Sequence, residues 1–183
     1  MIDIFAIPNT KIIRAEVIMD RLPAGTKRII CLSCGNASKA LKETIKSVPV
    51  ISVDPRSPVQ ATRELTIDEL WQFFGPDSFN ATSGYLPLDW VEAIGQRLIP
   101  YVPKADKYFI PCGSGETLMA LSFFIPLAQM VGVTANYPPI EMIGPLSRWL
   151  RRNIEIFHAG HVRSVMEALE LAGRGQGVAL CWE

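Results

Sequence analysis

From Arg28 onward, short apolar runs rich in β-branched residues alternate with longer stretches of helical periodicity. That alternation predicts a mostly parallel sheet, because parallel neighbours need a crossover of a dozen or more residues, usually a helix. Strands are expected at Arg28–Leu32, Val50–Val53, Lys107–Pro111, Ile140–Ile143 and Gly177–Trp182. Helices are expected at Ala37–Ser47, Thr66–Phe74, Leu86–Leu98, Thr117–Gln129 and Val162–Ala172. Thr66 and Glu69 have the spacing of a capping box, and Gly75–Gly84 reads as a loop. The expected fold class is α/β, a mostly parallel twisted sheet flanked by helices. It would form one compact domain over residues 1–183. An alternative division has a small lobe over roughly residues 10–60 and a large lobe from the remainder.

Charge and composition narrow the function classes. Lys and Arg balance Asp and Glu, for a formal net charge of +0. No basic field is present to attract nucleic acid at long range, which disfavours a nucleic-acid partner without excluding one. Arg148, Arg151 and Arg152 read as a solvated face. The amino-terminal segment carries charges within its apolar part and lacks the core of a signal peptide, so a cytoplasmic protein is expected. Leu118–Val133 is the most apolar stretch. It is short for a bilayer span and reads as a buried helix or helix pair. Cys31 and Cys34 form a CxxC, but Cys112 and Cys181 are isolated, and His158 and His161 lie elsewhere. Zinc sites draw paired ligands from two places, so no metal is expected and buried thiols are the simpler reading.

Two strand–loop–helix junctions carry the chemistry. In the first, the strand ends at Leu32, Ser33-Cys34-Gly35-Asn36 makes the turn, and a helix follows. Asn36 in that place suits a helix N-cap. In the second, Gly113-Ser114-Gly115-Glu116-Thr117 separates an apolar strand from an apolar helix. Open parallel sheets bind ligands at the carboxyl ends of their strands, where both loops fall. Gly113 and Gly115 permit positive φ and close backbone approach. The opening amides of the next helix, with the hydroxyls of Ser114 and Thr117, form a site for a phosphate monoester. The loop matches neither GxxxxGK[ST] nor GxGxxG, so neither nucleotide motif applies.

These segments, in this order, resemble the fold-type II pyridoxal phosphate (PLP) enzymes, the group of cysteine synthase, serine/threonine dehydratase and the tryptophan synthase β chain. The family has a Ser/Thr-Ser-Gly-Asn loop, matched by Ser33-Cys34-Gly35-Asn36. Its glycine-rich phosphate loop, of the form GSGGT, is matched by Gly113–Thr117, with Glu116 in place of a glycine. Its last strand supplies a Ser or Cys to the pyridine nitrogen, and GVALCWE puts Cys181 there. Its lysine lies in an NP-x-G-S-x-K-D-R pattern, echoed by Pro8-Asn9-Thr10-Lys11 and Arg14, with the arginine one residue further from the lysine.

The resemblance implies PLP as cofactor, Lys11 as the Schiff-base lysine, and Asn36 on the ring hydroxyl. It implies Ser33, Cys34 and Gly35 at the substrate carboxylate, and Gly113, Ser114, Gly115, Glu116 and Thr117 around the phosphate. Cys181 would lie at the ring nitrogen, where a neutral thiol suits β-elimination or β-replacement. The implied function is a PLP-dependent lyase or β-replacement enzyme acting on an amino acid or amino-acid-like group, working as a homodimer. Read without the resemblance, Lys11 is a surface lysine at a strand end and Cys181 a core thiol. A carboxylate at position 116 would repel a phosphate unless it points away or is protonated. Two alternatives therefore stand: an inactive derivative that binds phosphate or PLP and serves in assembly, and another phosphate-ester-binding α/β enzyme. His158, His161 and Ser83-Gly84-Tyr85 are minor candidates for the cleft.

Overall fold

A computed structural model describes residues 2–32, 35–52, 75–126, 128–135, 154–173 and 177–182. Within them lie eight strands: β1 (Asp3–Ile7), β2 (Arg28–Cys31), β3 (Val50–Ser52), β4 (Ser78–Asn80), β5 (Lys107–Pro111), β6 (Gln129–Thr134), β7 (Ile154–His158) and β8 (Val178–Trp182). Five helices accompany them: α1 (Thr10–Arg21), α2 (Asn36–Thr44), α3 (Leu88–Leu98), α4 (Glu116–Ser122) and α5 (Val165–Gly173). The chain divides into two compact units, one of Met1–Thr10 with Val91–Glu183 and one of Lys11–Trp90.

The first unit holds a five-stranded sheet in the order β1-β8-β5-β6-β7. Every neighbouring pair in it is parallel. One face is closed by α5, where Ala168 and Leu169 pack with Ile2, Phe109, Val131, Val133 and Ala179. Ser164 opens α5 by accepting the Glu167 backbone N–H at 3.1 Å, while the Glu167 carboxylate accepts the Arg163 N–H at 2.8 Å. That pairing of a cap hydroxyl with a first-turn carboxylate satisfies two otherwise orphaned donors. Buried Tyr108 has its own solution: its hydroxyl donates to Pro103 O at 2.6 Å and accepts from Ala105 N at 2.8 Å. One rim of this sheet is β1, where Ile4 and Phe5 are 42% and 41% exposed.

The second unit holds a three-stranded parallel sheet in the order β3-β2-β4. Central β2 buries Ile29, Ile30 and Cys31, and α1 buries Ala15, Val17 and Ile18. Phe79 stacks on Trp90 with ring centroids 5.1 Å apart. Buried Arg14 anchors α1 by donating from Nη2 to Ala81 O at 2.6 Å.

The α/β class and the parallel sheet agree with the expectation. Several elements differ. Thr117–Gln129 is not one helix: α4 ends at Ser122 and the apolar run continues into strand β6, so the reading of Leu118–Val133 as a helix or helix pair is corrected. Interior strands of parallel sheets are apolar on both faces and show no period-2 signal. Lys11 lies in the first turn of α1, not at a strand end. The loop at Gly75–Gly84 contains β4, and His158 ends strand β7. The expected helix Thr66–Phe74 and strand Ile140–Ile143 fall outside the described residues, as do Arg148, Arg151 and Arg152. Among the described residues, no helix is long and apolar enough to cross a membrane, and no group of three metal-ligating side chains gathers.

Gly95 marks where α3 meets α4. A Cβ there would lie 2.1 Å from Ala120 O, a backbone atom that cannot swing aside. Gly25, at φ +85, has open space around it, with nothing within 4 Å of where a Cβ would stand. Gly95→Ala should therefore cost more than ~3 kcal/mol by overpacking, and Gly25→Ala only ~1 kcal/mol of backbone strain. Urea unfolding of the two variants checks the contrast.

Candidate functional site

Parallel order places the carboxyl ends of β1, β8 and β5 side by side along one edge of the five-stranded sheet. Each strand end delivers a residue singled out above. After β5 come Gly113 and Ser114, then Gly115 with φ +83 as the N-cap of α4. An L-residue would be strained in that left-handed conformation, so the glycine is what lets the chain turn directly into the helix. No side chain caps α4, which leaves its opening amides to the loop. Gly113 is exposed, Ser114 and Thr117 are half-buried, and Gly115 is buried. A pocket of about 380 Å³ opens beside Gly113, lined by Cys112, Val133, Val162, Arg163 and Ala168 among others. Cys181 is half-buried in β8, level with Ala6 of β1. β8 is flanked on its other side by β5, with Phe109 opposite Ala179.

After β1 comes Thr10, which the sequence offered only as part of Pro8-Asn9-Thr10-Lys11. Thr10 is 2% exposed, and its Oγ1 has no hydrogen-bond partner among the described residues. An orphaned buried hydroxyl costs about 1–3 kcal/mol, so it asks for a partner. No composition or spacing signal could have revealed this, because it depends on what surrounds the side chain.

The second unit carries Lys11, Gly35 and Asn36. Lys11 is half-buried in the first turn of α1, a turn without acidic residues. Arg14 follows at i+3, on the same side of the helix as Lys11. Gly35 and Asn36 open α2 at the carboxyl end of β2. Asn36 is the first helical residue and Gly35 the N-cap, without a side-chain capping bond, so the capping role expected for Asn36 is corrected. The Asn36 side chain is exposed. The strand end before it is pinned: Leu32 N donates to Thr82 Oγ1 at 3.1 Å, and Thr82 N donates to Asn80 Oδ1 at 3.0 Å. Ser33 and Cys34 lie outside the described residues. Of the minor candidates, His158 Nδ1 lies 3.0 Å from Thr134 Oγ1, and His161 is exposed.

These residues can be weighed against PLP directly. The Gly115 turn and uncapped α4 amides fit a phosphate, and the orphaned Thr10 hydroxyl fits a polar group placed along the same sheet edge. Glu116 is the discordant member. It is 3% exposed at the first position of α4, so its carboxyl group is buried and not turned to solvent. The helix dipole favours an acidic residue in the first turn, which accounts for its being tolerated there.

No protein-family model matches the chain, and no curated protein matches its sequence. Solved structures do. A threonine deaminase from T.th. superposes with a TM-score of 0.61 at 13% identity, covering 94% of this chain and 80% of that one. An ACC deaminase homologue gives a TM-score of 0.58 at 13% identity, covering 94% and 78%. Maize serine racemase gives 0.58 at 10% identity, again covering 94% and 78%. At such identities the likeness is one of fold, and it extends over nearly the whole chain. The chain therefore has the architecture of the fold-type II PLP enzymes that its sequence resembles.

Proposed function

We propose that the protein is a PLP-dependent enzyme acting on an amino acid or amino-acid-like group, by β-elimination, β-replacement or a related lyase reaction. The observation that carries this reading is the glycine loop. It joins an apolar parallel strand to a helix through Gly115 at φ +83, on the edge that also holds Cys181. The neighbours named above support it through their fold, and they are named for threonine, ACC and serine.

PLP, when bound, supplies an electron sink for negative charge developing beside the amino group. The chain's own residues bind and orient. Gly113, Ser114, Gly115 and Thr117 hold the phosphate through backbone amides and hydroxyls. Lys11, in the opening turn of α1, offers the amine. Asn36, not engaged as a helix cap, would serve the ring hydroxyl, and Ser33, Cys34 and Gly35 would receive the substrate carboxylate. A thiol at Cys181, in place of an acid, is the basis for favouring elimination or replacement.

An absorbance scan tests this. Purified protein with PLP should show a visible band that borohydride abolishes, with the label mapped to Lys11, and Lys11→Ala should lack the band. Absence of the band in the wild-type protein would overturn the reading.

Buried Glu116 favours a second reading, a derivative that has kept the fold to bind a phosphate-bearing ligand without catalysis. Glu116→Gln removes a like charge beside the phosphate. Because Glu116 is buried, that repulsion is stronger than in bulk water, so the variant should tighten PLP binding by at least about five-fold in a fluorescence titration. If PLP binds, is not attached to Lys11, and produces no turnover of amino acids, the second reading replaces the first.

We also infer a homodimer. Exposed Ile4 and Phe5 on the rim strand β1 give apolar surface of the kind interfaces bury. Sedimentation at micromolar concentration should return twice the 20.3 kDa chain mass, and Phe5→Lys should shift it toward one chain.

A further inference from the structure

Thr10 is the one residue whose buried side-chain oxygen lacks a hydrogen-bond partner among the described residues, and its position says what could supply one. It stands three residues beyond the end of β1, at the same sheet edge as the glycine loop after β5 and Cys181 in β8. It opens α1, a helix of 12 residues with no acidic side chain in its first turn. Helical side chains lean toward the helix amino terminus, so the hydroxyl lies beside the opening amides, where negative charge is favoured. The next residue in the chain is Lys11.

The strand order gives this hydroxyl an address. β1, β8 and β5 are consecutive neighbours, so the three strand ends lie in a row about 10 Å across from β1 to β5, at roughly 4.8 Å per strand. On the PLP ring, the phosphate arm and the phenolic oxygen sit on opposite sides of the axis through the ring nitrogen. With the phosphate at the loop after β5 and the nitrogen toward Cys181 in β8, the phenolic oxygen falls on the β1 side. We propose that the Thr10 hydroxyl donates a hydrogen bond to the phenolic oxygen of PLP, which makes Thr10 a cofactor-binding residue. This rests on the PLP reading above and adds a residue and a contact to it. A phenolate oxygen accepts more than one hydrogen bond, so the Thr10 contact leaves room for a second donor.

The test is a titration of wild type, Thr10→Val and Thr10→Ser with PLP and with its 3-deoxy analogue, which lacks the phenolic oxygen. Unfolding midpoints of the ligand-free proteins are measured alongside. Valine keeps the shape and removes the hydroxyl, so the ligand-free midpoint should hold or rise, since an unsatisfied buried hydroxyl is lost. PLP affinity should fall about ten-fold, the usual worth of a hydrogen bond to a charged oxygen. The 3-deoxy analogue should bind wild type and Thr10→Val equally, and Thr10→Ser should restore PLP affinity. Should Thr10→Val fail to fold, Thr10→Ala is titrated in its place. Equal PLP affinity in wild type and variant overturns the proposal, and a lowered ligand-free midpoint would then assign the hydroxyl to the internal structure. Equal weakening of PLP and the analogue also overturns it, by moving the contact to another part of the cofactor. If wild type binds no PLP at all, the functional reading fails first, an outcome distinct from either of these.

Discussion

Parallel strands cannot be joined by a tight turn, and the rest of this molecule follows from that restriction. Each strand must be followed by a crossover, so the chain leaves every strand at the same edge of its sheet. Both sheets here obey it in every pair. The edges that result collect strand ends, loop glycines and helix openings, and helix openings carry amide donors that no internal acceptor reaches. Gly115, Thr10 and Gly35 all stand at such openings. A protein of this architecture gathers unsatisfied donors by construction, and what distinguishes one member from another is which side chains are set among them.

Much of this was legible in the sequence. RIIC and KYFIP sit where strands were expected, because their flanks carry turn residues and their interiors are β-branched or aromatic. The GSGET loop was legible because two glycines between a strand and a helix have few other uses. The run from Leu118 to Val133 was not. Nearly every residue of both α4 and β6 is buried, so neither a 3.6 nor a 2.0 period survives to tell one from the other. α1 was missed for a related reason: Ile12, Ile13 and Ile18 are β-branched, a local preference against helix that the burial of Ala15, Val17 and Ile18 overrides. The roles of Asn36 and Thr10 depend on hydrogen-bond accounting, which no spacing rule contains.

Glu116 shows how local and global demands meet in one residue. A helix opening welcomes a carboxylate, whereas a phosphate loop does not. Its burial beside Gly115 means that the loop satisfies the first demand within the protein itself. The same backbone turn serves both purposes, so the fold can persist whichever of them governs the site.

The pairing of β1 with β8 has its own consequence for how the molecule comes into being. Asp3 lies opposite Val178 and Ile7 opposite Trp182, so β1 finds this partner only after the long intervening stretch of chain has been made. Until then, β1 is an apolar strand with two open edges. The five-stranded sheet must therefore close late, with loop-closure entropy to overcome and its opening segment exposed to whatever else might pair with it on the way. The edge that carries Thr10 exists only after that closure. For this chain, binding at that edge depends on the pairing of β1 with β8, two strands far apart in sequence.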